Sequence, residues 1–127
     1  MKEAIGGYFE LELRRSKEYY QNAIRLNSGR NALEFILRLR RYSRVFIPYY
    51  SCDAILEPFK KLLLNYELYF IDKNLEPKFN YASIKPDEGF LYINYFGLKA
   101  KFIKYLSKYC RNLIIDNSQA FFSAPPA

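Results

Sequence analysis

The stretch GFLYINYFGLKAKFIKYLSKYCRNLIIDN (89–117) holds two apolar runs separated by a segment of a different periodicity. GFLYINYF (89–96) reads as a strand, being short and rich in aromatic residues. In KAKFIKYLSKYC (99–110) the apolar residues Phe102, Ile103, Leu106 and Tyr109 fall at the 3.6-residue period of an amphipathic helix. NLIIDN (112–117) is the next strand. Strand, helix and strand in this order predict a parallel crossover unit.

The same alternation extends toward the amino terminus. VFIP (45–48) is an all-apolar run stopped by proline, as in a buried parallel strand, and YELYFID (66–72) is a further strand. SCDAILEPFKKLLLN between them has helical spacing, with Asp53 near its start and lysines near its end; Pro58 either breaks it or begins a second, shorter helix. From Asn31 to about Arg41 the residues Ala32, Leu33, Phe35, Ile36, Leu37 and Leu39 form a broad apolar helical face. Ser28 is its predicted N-cap, and Gly29 gives backbone freedom just inside. KNLEPKFNYASIKPDEG reads as a loop with a single helical turn around Tyr81 to Ile84. YFELEL (8–13) alternates apolar and acidic residues, so residues 1–25 are expected to form an arm or strand leading into one α/β domain over 26–127.

Composition narrows the function classes. Half of the 127 residues are hydrophobic and 19% are aromatic, which excludes a disordered chain. No run of about 18 apolar residues occurs and the amino terminus does not read as a signal peptide, so no membrane span and a cytoplasmic location are expected. There is no histidine and there are two cysteines, which leaves no histidine metal site, no Cys-His nucleophile and no Ser-His-Asp triad; no metal is expected. Cys110 reads as a small buried apolar residue. The net charge of +7 is densest at Arg38, Arg40, Arg41 and Arg44. These residues fall at a helix end, where cations complement the dipole, and no nucleic-acid module surrounds them, so no nucleic-acid partner is expected.

In an open α/β sheet ligands bind beyond the carboxyl ends of the strands. Four segments are predicted to meet there: Ser28-Gly29-Arg30-Asn31 at a helix start, Pro48-Tyr49-Tyr50-Ser51-Cys52 after a strand, Asn94-Tyr95-Phe96-Gly97, and Asp116-Asn117-Ser118-Gln119. In this order they resemble the motifs S-G-T-x-A-L, P-x-Y-T, H-x-Y-G and D-x-x-Q of the DegT/DnrJ/StrS family of pyridoxal-phosphate-dependent sugar aminotransferases. IGGYFELEL also looks like the amino-terminal stretch of polysaccharide-locus members, and the resemblance runs from about Ile5 to Ala124.

The resemblance implies a three-layer α/β/α fold with a mainly parallel sheet, similar to the N-terminal half of the large domain of fold-type-I transferases. It implies pyridoxal 5′-phosphate as cofactor and nucleotide-linked keto-sugars of surface polysaccharide biosynthesis as substrates. The amides of Gly29, Arg30 and Asn31, behind Ser28, would hold the cofactor phosphate. Asp116 would pair with the pyridine nitrogen and keep it protonated, and Gln119 would bond the phenolic oxygen.

Three positions depart from the pattern. Arg30 stands for the threonine and offers a phosphate ion pair. Cys52 stands for the aromatic residue on the pyridine face, a ring that Tyr49 or Tyr50 supplies unless both are core residues. Asn94 stands for the histidine. The family's Schiff-base lysine, expected beyond the D-x-x-Q strand, has no counterpart here, and neither Lys99 nor Lys101 aligns with it. The resemblance therefore implies an inactive part of an aminotransferase, whose partner is a second copy or the remainder of such an enzyme. A non-catalytic binding or self-association module that keeps the fold is the alternative.

Overall fold

A computed structural model of the chain describes residues 19–122. The arm predicted over 8–13 lies outside the described residues. Four strands form one all-parallel sheet in the order β2-β1-β3-β4: β1 is Arg44–Pro48, β2 Asn65–Tyr69, β3 Glu88–Ile93 and β4 Leu113–Asp116. Helix α1 (Gly29–Arg40) precedes β1, α2 (Glu57–Leu62) joins β1 to β2, and α3 (Ala100–Tyr109) joins β3 to β4. The chain is thus an α/β fold with crossover helices.

The central strands carry the core. Val45, Ile47, Phe90 and Tyr92 are buried completely, as a strand covered on both faces requires. Side chains alternate between faces, and the register Leu91↔Ile114 and Ile93↔Asp116 sets these four residues on one side of the sheet. The opposite side bears Phe90 and Tyr92. There α3 packs its Phe102 edge-on to Tyr92, with ring centroids 5.4 Å apart. Leu33 and Ile36 of α1 face the Leu91–Ile93 side across a cavity. Helices therefore lie on both faces of the sheet. No helix among the described residues is long and apolar enough to cross a membrane.

Of the two roles open to Pro58, it takes the second: a 3-10 turn over Asp53–Leu56 ends and α2 begins, with the proline in its first turn where no N–H is needed. A single 3-10 turn forms at Tyr81–Ser83. Three strands are shorter than expected; the one predicted over 112–117 spans Leu113–Asp116. The strand predicted to run to Phe96 stops at Ile93, because the Asn94 carbonyl Oδ1 accepts from Lys99 N (3.0 Å) and turns the chain into a 3-10 turn at Tyr95–Gly97. The strand predicted over 66–72 ends at Tyr69, where its partner β1 ends at Pro48. Cys110 is buried, and burial pushes its thiol up to about 12. Two of the four clustered arginines are neutralised locally, Arg38 by Glu34 (2.8 Å) and Arg44 by Glu67 (2.7 Å) and Glu88 (2.6 Å).

Glu88 opens β3 only 3% exposed. Its Oε2 accepts from Lys85 N at 3.0 Å and its Oε1 from Arg44 Nη2 at 2.6 Å. The Lys85 amide, then the Arg44 guanidinium, hold this carboxyl below the ordinary 4.5 against the opposing effect of burial. A depressed carboxylate contributes stability above its unfolded value and loses it as pH falls through the folded one. Urea midpoints followed below pH 4.5 are therefore expected to fall less steeply for Glu88→Gln than for the parent chain.

Candidate functional site

The start of α1 and the carboxyl ends of β1, β3 and β4 surround one cavity of about 690 Å³, within the size range of small-ligand sites. Its apolar wall comes from Leu33 and Ile36 of α1 and from Leu91, Ile93 and Ile114 of the sheet.

At the helix start Ser28 is extended and its Oγ accepts from Asn31 N at 3.2 Å, while Ser28 O accepts from Ala32 N at 3.0 Å. The amides of Gly29 and Arg30 are left with no acceptor among the described residues, at the positive end of the helix dipole. Ser28, Gly29 and Arg30 line the cavity, but Asn31 does not. Its amide is taken by Ser28, its side chain bonds Asn27, and it faces an outer groove with Glu34 and Lys61. The exposed Arg30 guanidinium donates through Nη1 to both oxygens of Glu57, at 2.9 and 2.7 Å, while its Nε and Nη2 have no acceptor among the described residues. Gly29 has no left-handed φ, and a Cβ there would meet Ser118 Oγ at an ordinary 3.7 Å; the fold itself does not require glycine.

Opposite the helix start, β4 ends at Asp116, whose carbonyl accepts from Asn94 N at 2.9 Å. Asp116 Oδ1 accepts from Ser118 N (2.8 Å) and Ser118 Oγ (2.5 Å), while Oδ2 accepts nothing among the described residues. Asn117 Oδ1 accepts from Asn94 Nδ2 at 3.0 Å. Gln119 Oε1 accepts from Phe96 N at 2.7 Å, which leaves its amide NH₂ as the unengaged end. Phe96 can present that N–H because its φ of 54° is left-handed, a conformation continued by Gly97 at 70°. Gly97 is the one glycine among the described residues whose backbone angle favours glycine.

Tyr49 and Tyr50 are 63% and 56% exposed, so neither belongs to the core. The chain leaves the sheet after Pro48, and the two rings diverge. Tyr49 turns to Phe70 (5.3 Å), whereas Tyr50 lines the cavity and stacks on Tyr95 (5.7 Å). Tyr95 OH donates to Tyr50 O at 2.8 Å, and burial pushes its phenol up to about 12, which keeps it a donor. Cys52 also lines the cavity and is exposed.

No lysine lines the cavity among the described residues. Lys99 is bound by Glu76 (2.7 Å) and Asn74 O (2.9 Å), beside the Phe102 ring of α3. The sequence places Asn94, Asn117 and Ser118 in the segments that meet here, but their hydrogen-bonding roles emerge only in the structure. The short polar run after an aspartate was the available signal, since Asp and Ser there commonly bond the backbone two residues on. Neither a family model, nor a curated protein, nor a solved structure matches the chain significantly.

Proposed function

We propose that the chain forms the phosphate- and ring-binding part of a pyridoxal-phosphate-dependent aminotransferase similar to the DegT/DnrJ/StrS enzymes, with nucleotide-linked keto-sugars as substrate class. One observation carries the reading: the helix start at Ser28–Arg30, the turn at Tyr50–Cys52 and the Asp116–Gln119 loop, far apart in sequence, face a single cavity. The donor set suits that cofactor. Two unengaged amides at a helix start suit a phosphate dianion. Asp116 Oδ2 suits a protonated ring nitrogen, the Gln119 NH₂ a phenolic oxygen, and the Leu91–Ile93 wall with Tyr50 a flat ring. When bound, pyridoxal phosphate supplies an electron sink through its protonated ring. The chain's own residues orient it and hold the proton on that nitrogen.

Because no amine lines the cavity among the described residues, this chain is read as binding the cofactor without covalent attachment and without turnover alone. Calorimetric titration with pyridoxamine 5′-phosphate, which needs no lysine, tests the reading. Saturable binding that inorganic phosphate weakens and unphosphorylated pyridoxamine does not reproduce is expected; no binding overturns it. A borohydride-reducible adduct of pyridoxal phosphate with turnover would overturn the inactivity.

The glycine at the helix start separates fold from function. Gly29→Ala is expected to raise stability by about 0.4–1 kcal/mol, through a less flexible unfolded chain. The same methyl beside the free amides is expected to weaken pyridoxamine 5′-phosphate binding severalfold. Melting and titration of the one variant check both halves.

A self-association module is the second reading, favoured by the outer edge of β2, which is unpaired among the described residues and where Tyr66 and Leu68, with Phe70 just beyond, are exposed. Sedimentation of a concentration-independent monomer would dispose of it.

A further inference from the structure

We propose that Ser118 is a positioning residue for Asp116: its hydroxyl pins one carboxylate oxygen so that the other is presented to the cavity. This rests on the reading that the cavity takes a phosphorylated pyridine. The bonding is one-sided. Ser118 N and Ser118 Oγ both donate to Oδ1, at 2.8 and 2.5 Å, and Oδ2 receives nothing among the described residues. Two donors on one oxygen fix the rotation of the carboxylate; a single donor leaves it freer to turn.

The hydroxyl is not needed for the turn itself. The backbone N–H bond closes it, and that bond survives replacement by alanine. The flanking residues are anchored separately, Asn117 to Asn94 (3.0 Å) and Gln119 to Phe96 N (2.7 Å), so removing the hydroxyl leaves the loop tied to the end of β3. Ser118 also lines the cavity, and its Oγ lies 3.7 Å from where a Cβ on Gly29 would stand. The residue thus sits between the ring partner and the helix start and sets their relation.

The test compares two probes on the whole chain: pyridoxamine 5′-phosphate and its 1-deaza analogue, in which carbon replaces the ring nitrogen. Ser118→Ala is expected to weaken the first severalfold to about tenfold, the cost of ordering an unpinned carboxylate on binding, and to leave the analogue unchanged. Ser118→Thr, which keeps a hydroxyl, is expected to restore the first. A purely structural role would weaken both probes alike, and that result, or no loss for either, overturns the proposal. A parent chain that binds neither probe overturns the cofactor reading and this inference together. One that binds both equally overturns the pairing of Asp116 with the ring nitrogen. Both outcomes are distinct from a failure of Ser118 alone.

Discussion

Phe90→Ala is expected to lower the free energy of unfolding by about 3–5 kcal/mol, the cost of deleting a large buried aromatic side chain. Phe90 is completely buried at the centre of β3. Its ring stacks on Tyr69 at 4.7 Å and 13°, meets Phe79 at 5.1 Å, and takes the edge of Tyr81 at 5.6 Å. The Tyr69 hydroxyl donates to Leu91 O at 2.7 Å, so removing Phe90 also loosens a buried hydrogen bond from the outer strand β2 to the residue that follows Phe90 in β3. Small domains hold only about 5–15 kcal/mol in total, so the variant is expected to lose at least about a fifth of its stability. Equilibrium urea denaturation reads the loss. Leu63→Ala is the control, because Leu63 is 91% exposed and surface changes of this kind stay within about 0.5 kcal/mol. Equal midpoints for the two variants would show that this aromatic stack does not hold the sheet together.

The elements legible in the sequence are those whose signal is local. The unbroken apolar run of β3 and the 3.6-residue spacing of Phe102, Ile103 and Leu106 both carry their own period, and both elements lie where that period puts them. Pairing is not local. Tyr66 and Leu68 look as buried in the sequence as Val45 and Ile47, yet they are exposed because β2 has a neighbour on one side only. The end of β3 was misplaced for a similar reason. Asn94 stops the strand through a bond to Lys99 N, which forms only once the chain has turned.

The candidate site divides along the same line. Motif order was enough to gather Ser28, Gly29, Cys52, Asp116 and Gln119 around one cavity, because strand ends and helix starts in a parallel sheet share an edge. The direction of a long side chain was not available. Arg30 could be placed at the helix start but not aimed, since its partner Glu57 lies 27 residues away on α2. The Asn31 amide, one of the three the resemblance assigns to a phosphate, is bonded to Ser28 Oγ by the cap. Capping therefore costs the predicted phosphate cradle one of its three amides and leaves two.

Asp116→Asn isolates the charge at this site with little change in shape. An asparagine oxygen can still accept from Ser118 N, so the turn and the fold are expected to stay, with melting shifted only slightly. What disappears is the negative charge that a protonated ring nitrogen requires. Hydrogen bonds to charged groups contribute about 1.5–3 kcal/mol, so affinity for pyridoxamine 5′-phosphate is expected to fall about tenfold to a hundredfold. The ¹⁵N resonance of a ring-labelled probe should move at the same time from the protonated to the neutral position. Competition by inorganic phosphate should be unchanged, because the amides of Gly29 and Arg30 are untouched. On the proposed reading the two halves of the cavity thus become separable, with the helix start recognising the phosphate and Asp116 the nitrogen. An asparagine variant with full affinity and a protonated ring would leave the helix start as the sole recognition element, and the cavity would then be a phosphate site without cofactor chemistry.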